Sequence, residues 1–180
     1  MSDPSGDGGS NRERMLAGDP NIPEDPDSHR RHLNALKLTA DFINRYPHDE
    51  AAALGILKEL LGSIGTDAII KLPLYVDYGS HLFIGNGTFV NTGLVALAAA
   101  PILIGADCQF GPNVQLLTAS HPIEPSARRE KWETCKPIRI GDKVWIGVGA
   151  TSWLASSLVI TASSARAPPS PATFPRTSLP

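Results

Sequence analysis

Five histidines, His29, His32, His48, His81 and His121, are the side chains of this 180-residue chain whose ordinary pKa lets them exchange a proton near neutral pH. His29 and His32 stand one helical turn apart and could touch one metal ion together. A zinc site needs about three protein ligands. The two cysteines, Cys108 and Cys135, make neither a zinc set nor a disulfide framework by themselves, so no metal is expected. His121 differs from the others in its setting. It lies near the start of a long, polar, proline-containing stretch, LTASHPIEPSARREKWETCKP, residues 117–137. A loop of that length inside a compact domain is usually functional or disordered, so chemistry is expected there first.

The elements that must position such a loop fall into two textures. Residues 1–11 are polar, contain three glycines and show no periodic apolar face, which predicts a disordered lead. Residues 12–66 carry helical signals. Asp27 or Ser28 is expected to cap a helix that buries Leu33, Leu36, Leu38, Phe42 and Ile43 and ends before Pro47. Asp49 is expected to cap a second helix with Leu54, Ile56, Leu57, Leu60 and Leu61 inward, closed by Gly62 and Gly65.

From residue 67 the helical spacing vanishes. Ile84-Gly85, Val90-Asn91, Ile104-Gly105, Phe110-Gly111, Ile140-Gly141 and Ile146-Gly147 are apolar–small pairs, and the step from 84 to 90, 104 to 110 and 140 to 146 is six. A six-residue period predicts a coil that turns an apolar side chain inward every third of a turn, with a small residue at the corner where a Cβ would be crowded. Asn86-Gly87 is the rival signal, since that dipeptide favours a hairpin. The repeat accounts for six pairs at once and predicts a parallel β-helix over 67–158. It is interrupted by a two-residue register shift within Ala96–Leu103 and by the loop 117–137. Residues 151–180 contain no Gly, Asp, Glu or Lys, and 159–180 are expected to be disordered.

Composition limits the function classes. Sixteen basic and 18 acidic residues give a net charge of −2, without the basic excess of a dedicated nucleic-acid binder. The longest apolar run, Leu94–Ile104, has eleven residues against the ~20 of a membrane span. The polar N-terminus lacks a signal core, so a cytoplasmic location is expected.

MLAG (15–18), LLGSIG (60–65), DYGSHLFIGNGTFVN (77–91), IGADCQFGPNVQLLTASHP (104–122) and KPIRIGDKVWIG (136–147), in that order, resemble the maltose and galactoside O-acetyltransferase family. The resemblance runs from about Arg12 to Ala150. It implies a small helical domain, then a left-handed parallel β-helix of hexapeptide repeats. The implied activity is acetyl transfer from acetyl-CoA to a hydroxyl of a sugar or similar small acceptor, by a homotrimer with sites between adjacent β-helices.

On that resemblance His121 matches the family's catalytic histidine, which takes the acceptor's proton and later passes it to the departing thiolate. Asp77, Asn91 and Glu133 match acceptor-side positions, where a carboxylate or amide can hydrogen-bond hydroxyls. Trp145 matches a tryptophan lining the coenzyme side, and Gly147 lies where a backbone amide meets the developing oxyanion.

Three places depart from the family pattern. Ala98 stands where an aspartate is expected, and Asn21 and Ile22 replace a tyrosine–aspartate pair after MLAG. From about Thr151 the family's further coils are not matched. This supports a second reading of another class: a catalytically inactive, truncated β-helix scaffold serving as an oligomerisation or binding protein.

Overall fold

The structure, a computed structural model, describes residues 10–23 and 25–153. The expected disorder of 159–180, the repeat out to Leu158 and most of the expected lead lie outside the described residues.

Helix α1 (Asn11–Ala17) begins inside that lead. Ser10 and Glu13 form a reciprocal cap: the Ser10 hydroxyl accepts the Glu13 N–H at 3.3 Å, and the Glu13 carboxylate accepts the Ser10 N–H at 2.8 Å. Gly18 ends the helix in the left-handed region (φ 84°), where a Cβ would also stand 2.9 Å from the Cys135 carbonyl oxygen. Helix α2 (Pro26–Arg45) starts earlier than the spacing suggests. Asp25 is its cap, accepting the N–H groups of Asp27 and Ser28 at 2.9 and 3.1 Å, with Pro26 in the first turn. Asp49 caps α3 (Glu50–Leu60) by accepting the Ala52 N–H at 3.0 Å.

The buried stripe of α2 is Ala35, Leu38, Thr39 and Phe42. Leu33 and Leu36 are 51% and 46% exposed, and Leu54 of α3 is 38% exposed, against the expectation that all three are buried. Two apolar stripes compete on α2, and the one containing small Ala35 allows α3 to approach closely.

Three parallel sheets form the remaining body. Strands β1 (Ser63–Ile64), β2 (Ile69–Ile70) and β3 (Leu74–Val76) make the first rung, so the first strand comes from the end of the segment with helical signals. The second rung is β4 (Leu82–Ile84), β5 (Phe89–Val90) and β6 (Leu94–Leu97). The third is β7 (Ile102–Ile104), β8 (Gln109–Phe110) and β9 (Gln115–Leu117). A loop follows with β10 (Ala119–Ser120), α4 (Pro125–Arg129) and β11 (Thr134–Cys135). The fourth rung is β12 (Ile138–Ile140), β13 (Trp145–Ile146) and β14 (Thr151–Trp153). The sheets run β1-β4-β7-β12, β2-β5-β8-β13 and β3-β6-β9-β14.

Register explains the spacing. Ile64 pairs with Ile84 and Ile84 with Ile104, so a rung advances twenty residues. Two corners take steps of six, and the corner between the third and first sheets takes eight. The shift within Ala96–Leu103 is therefore no isolated break: the same widening occurs one rung earlier at Asp77–Ser80. Asn86-Gly87 turns β4 into β5 of a different sheet and makes no hairpin.

Ile84, Val90, Ile104, Phe110, Ile140 and Ile146 all point inward and are buried. The corner glycines stack: a Cβ on Gly85 would lie 2.5 Å from the Gly105 carbonyl carbon, and one on Gly105 would lie 2.6 Å from that of Gly141. Phe42, Leu57 and Leu60 join one core with Ile70, Leu74 and Leu82, so α2 and α3 close the first-rung end of the coil. Phe42, fully buried, contributes on the order of 2–3 kcal/mol there.

Candidate active site

The widened corner gathers polar side chains. Asp77 leaves β3, and its Oδ1 accepts the N–H of Tyr78 at 2.6 Å and that of Ala98, one rung up, at 2.7 Å. Burial pushes the Asp77 carboxyl above its ordinary range, while these two N–H bonds pull the other way. The Asp77 carbonyl lies 3.0 Å from His32 Nδ1. A carbonyl can only accept, so the proton sits on Nδ1. By the same reasoning His81 Nδ1 donates to the Ala98 carbonyl at 2.8 Å.

Ala98, Ala99 and Ala100 floor this corner and are buried. Above them the Thr118 hydroxyl accepts the Ala100 N–H at 3.0 Å and donates to the Leu97 carbonyl at 2.8 Å. The loop then leaves the coil and returns as an antiparallel pair, Ala119 opposite Cys135 and Ser120 opposite Thr134. One further step in that register sets His121 across from Glu133.

His121 is exposed, whereas Glu133 is buried. Burial raises the Glu133 carboxyl; the Cys135 thiol and a charge on His121 lower it, and Asp77 raises it further. The backbones of Asn21 and Glu133 exchange two hydrogen bonds, at 2.9 and 3.0 Å, which fasten the start of the chain to the loop. Tyr78 is half-buried, and burial pushes its phenol up, with Asp77, Glu133 and Asp25 adding to the effect. Beside Tyr78 opens a cleft of ≈ 630 Å³, with Asp25, Ser28, His29 and His32 in its walls.

Asp77, His121 and Glu133 thus come together. The other expected residues do not join them. Asn91 and Gly147 share a different corner, between the second and third sheets, where the Asn91 N–H donates to Phe110 at 3.2 Å and the Gly111 N–H donates to Ile146 at 2.8 Å. Trp145 lies on the outer face of the second sheet and is 77% exposed.

Asn21 is buried, and its Nδ2 turns to the Asp19 carbonyl at 3.2 Å and toward Cys135 Sγ at 4.0 Å. Sequence reasoning missed Tyr78, His32 and Cys135. The tyrosine is adjacent to Asp77 in DYG, but nothing in spacing announces that α2 would bring His32 against it. No group of three or more His, Cys, Asp or Glu able to hold a metal occurs among the described residues. Likewise, no helix among them is long and apolar enough to cross a membrane.

Residues 14–65 match the family model for the maltose acetyltransferase hexapeptide capping motif. Nodulation protein L of Rhizobium leguminosarum bv. viciae is 37% identical over 145 residues, which cover 78% of this chain and 74% of that protein. The crystal structure of a maltose O-acetyltransferase from Clostridium difficile 630 aligns with a TM-score of 0.77 at 33% identity, over 81% of this chain and 78% of its own. Galactoside acetyltransferase in complex with coenzyme A aligns with a TM-score of 0.73 at 26% identity, over 79% of this chain and 74% of its own. The three-sheet coil described above is the left-handed parallel β-helix of these hexapeptide-repeat proteins.

Proposed function

Because the chain belongs to the maltose and galactoside O-acetyltransferase family, we propose that it moves acetyl from acetyl-CoA to a hydroxyl of a sugar or similar small acceptor, with His121 as general base. The observation that carries this reading is the convergence of His121, Glu133 and Asp77 on one widened corner.

An alcohol is a weak nucleophile near neutral pH. His121 removes the acceptor's hydroxyl proton as that oxygen attacks the thioester carbonyl. The new carbon–oxygen bond forms, and the negative charge moves to the carbonyl oxygen, which accepts a hydrogen bond from the backbone at Gly147 of a neighbouring copy. The carbon–sulfur bond then breaks, and His121 returns the proton to the departing thiolate. Asp77 and Glu133 accept hydrogen bonds from acceptor hydroxyls and so fix which hydroxyl faces the imidazole.

One chain leaves this assembly incomplete. Asn91, Trp145 and Gly147 lie away from the His121 corner, so we place each site between adjacent copies of a homotrimer. His121, Asp77 and Glu133 form one wall, and the acceptor-side Asn91 with the coenzyme-side Trp145 and Gly147 of a neighbouring copy form the other.

The test is acetyl transfer from acetyl-CoA to maltose, glucose and galactosides, followed by thiol release, in wild type and His121→Ala. Transfer should fall by about 10²–10⁴-fold in the variant, with coenzyme affinity retained. Equal transfer by both proteins would remove His121 from the mechanism.

A further inference from the structure

The loop end that carries Glu133 is anchored by a thiol. Cys135 is fully buried, among Met15, Ala99 and Ala100. Its Sγ lies 3.7 Å from Glu133 Oε1, within reach for a sulfur donor, and 4.0 Å from Asn21 Nδ2, which donates to it. The strand pairing of Cys135 with Ala119 fixes its backbone from one side. From the other, Gly18 packs so closely that a Cβ would reach 2.9 Å from the Cys135 carbonyl oxygen. With its backbone held on both sides, the thiol's two partners assign its roles: it accepts from Asn21 and donates to Glu133.

We propose that Cys135 is a positioning residue, whose thiol proton holds the Glu133 carboxylate ionised and turned toward the corner where His121 and Asp77 meet. The inference rests on Glu133 belonging to the acceptor site. Burial, with the neighbouring Glu133 charge, pushes the thiol's pKa up to about 12, so it remains a donor throughout the working range. The titratable groups acting on Glu133 are His121 after β10, Asp77 from the corner after β3, and Cys135 on its own strand, while Tyr78 of that corner feels the Glu133 charge in turn. Among these, the thiol and His121 favour the carboxylate, and the thiol does so as a neutral hydrogen-bond donor. Asn21, which occupies the place of a family tyrosine, orients the sulfur and leaves its own Oδ1 buried without a partner.

The test follows the Glu133 carboxyl by ¹³C NMR, assigned with Glu133→Gln, alongside kcat/KM against pH for acetyl transfer to maltose. In Cys135→Ala the Glu133 titration should move to higher pH by about half a unit to one unit, and on the acid side of that titration kcat/KM should fall by up to the corresponding threefold to tenfold. The loss should vanish on the alkaline side, where Glu133 is ionised in both proteins, and Cys135→Ser, which restores a donor, should return both curves toward wild type. An unmoved Glu133 titration, or an equal loss at every pH in both variants, would overturn the proposal and leave Cys135 as packing alone. A shifted titration with unimpaired Glu133→Gln activity would support the thiol contact while sinking the acceptor-site reading of Glu133. Should Cys135→Ala not fold, the infrared S–H stretch decides: a Cys135 band that does not move between wild type and Glu133→Gln overturns the contact.

Discussion

Asp77 Oδ1 accepts the backbone N–H of Ala98 at 2.7 Å, so a side chain proposed to face the acceptor also ties one rung to the next. Asparagine at 77 keeps an acceptor for that N–H, whereas alanine strands a buried donor. Asp77→Asn is expected to leave the urea midpoint no lower than in the wild type while lowering kcat/KM for acetyl transfer by about 10–100-fold, the worth of a charged hydrogen bond. Asp77→Ala should additionally lose about 1–3 kcal/mol of stability. Equal activity in the wild type and Asp77→Asn would remove the carboxylate from acceptor binding.

Burial also makes stability depend on pH. Asp77 and Glu133 both titrate above their ordinary values of 3.8 and 4.5. The folded state holds these two protons more tightly than the unfolded chain does. Their contribution is fully present below the ordinary values and is lost as pH rises through the raised ones. Urea denaturation at fixed protein concentration should therefore show this contribution declining upward from about pH 4, with a flatter profile in Glu133→Gln. An unchanged slope in that variant would mean Glu133 is not desolvated.

At Gly105 a Cβ would stand 2.6 Å from the Gly141 carbonyl carbon and 2.7 Å from the Asp142 N. Both are backbone atoms of the next rung and cannot swing aside. Gly105→Ala should cost about 1–3 kcal/mol by forcing the rungs apart. A shift of a few tenths of a kcal/mol in chemical denaturation would show a looser corner.

Trp145 offers the opposite balance. With 77% of its surface exposed, Trp145→Ala should change stability by no more than about 0.5 kcal/mol. Its proposed place on the coenzyme side predicts roughly tenfold weaker acetyl-CoA binding by isothermal titration calorimetry. Unchanged affinity would leave the tryptophan without a role in coenzyme binding.

The coil was legible because its period is short-range: an apolar residue every six and a small one after it express the same crowding at every corner. The eight-residue corner was harder to see, since a two-residue widening resembles an accident until Asp77–Ser80 and Leu97–Ala100 are stacked. Burial in α2 depended on a partner helix, and sequence alone does not say that the stripe through Ala35 would win over Leu33 and Leu36. The corner formed by Asp77, Glu133 and His121 was suggested by motifs, but its supports were not. His32 and Cys135 reach it only through tertiary packing, across separations that no local pattern spans.

The ladder continues through the long loop without losing step: Ile102 pairs with Ile138 and Ile104 with Ile140, just as Ile84 pairs with Ile104 one rung earlier. Everything between β9 and β12 is extruded sideways at one vertex of a triangular prism. Segments of other lengths can be exchanged at that vertex without altering a strand pairing of the three parallel sheets. The scaffold and the loop are therefore free to diverge at different rates, and chimeras made by transplanting this segment between relatives would vary the chemistry while keeping the prism.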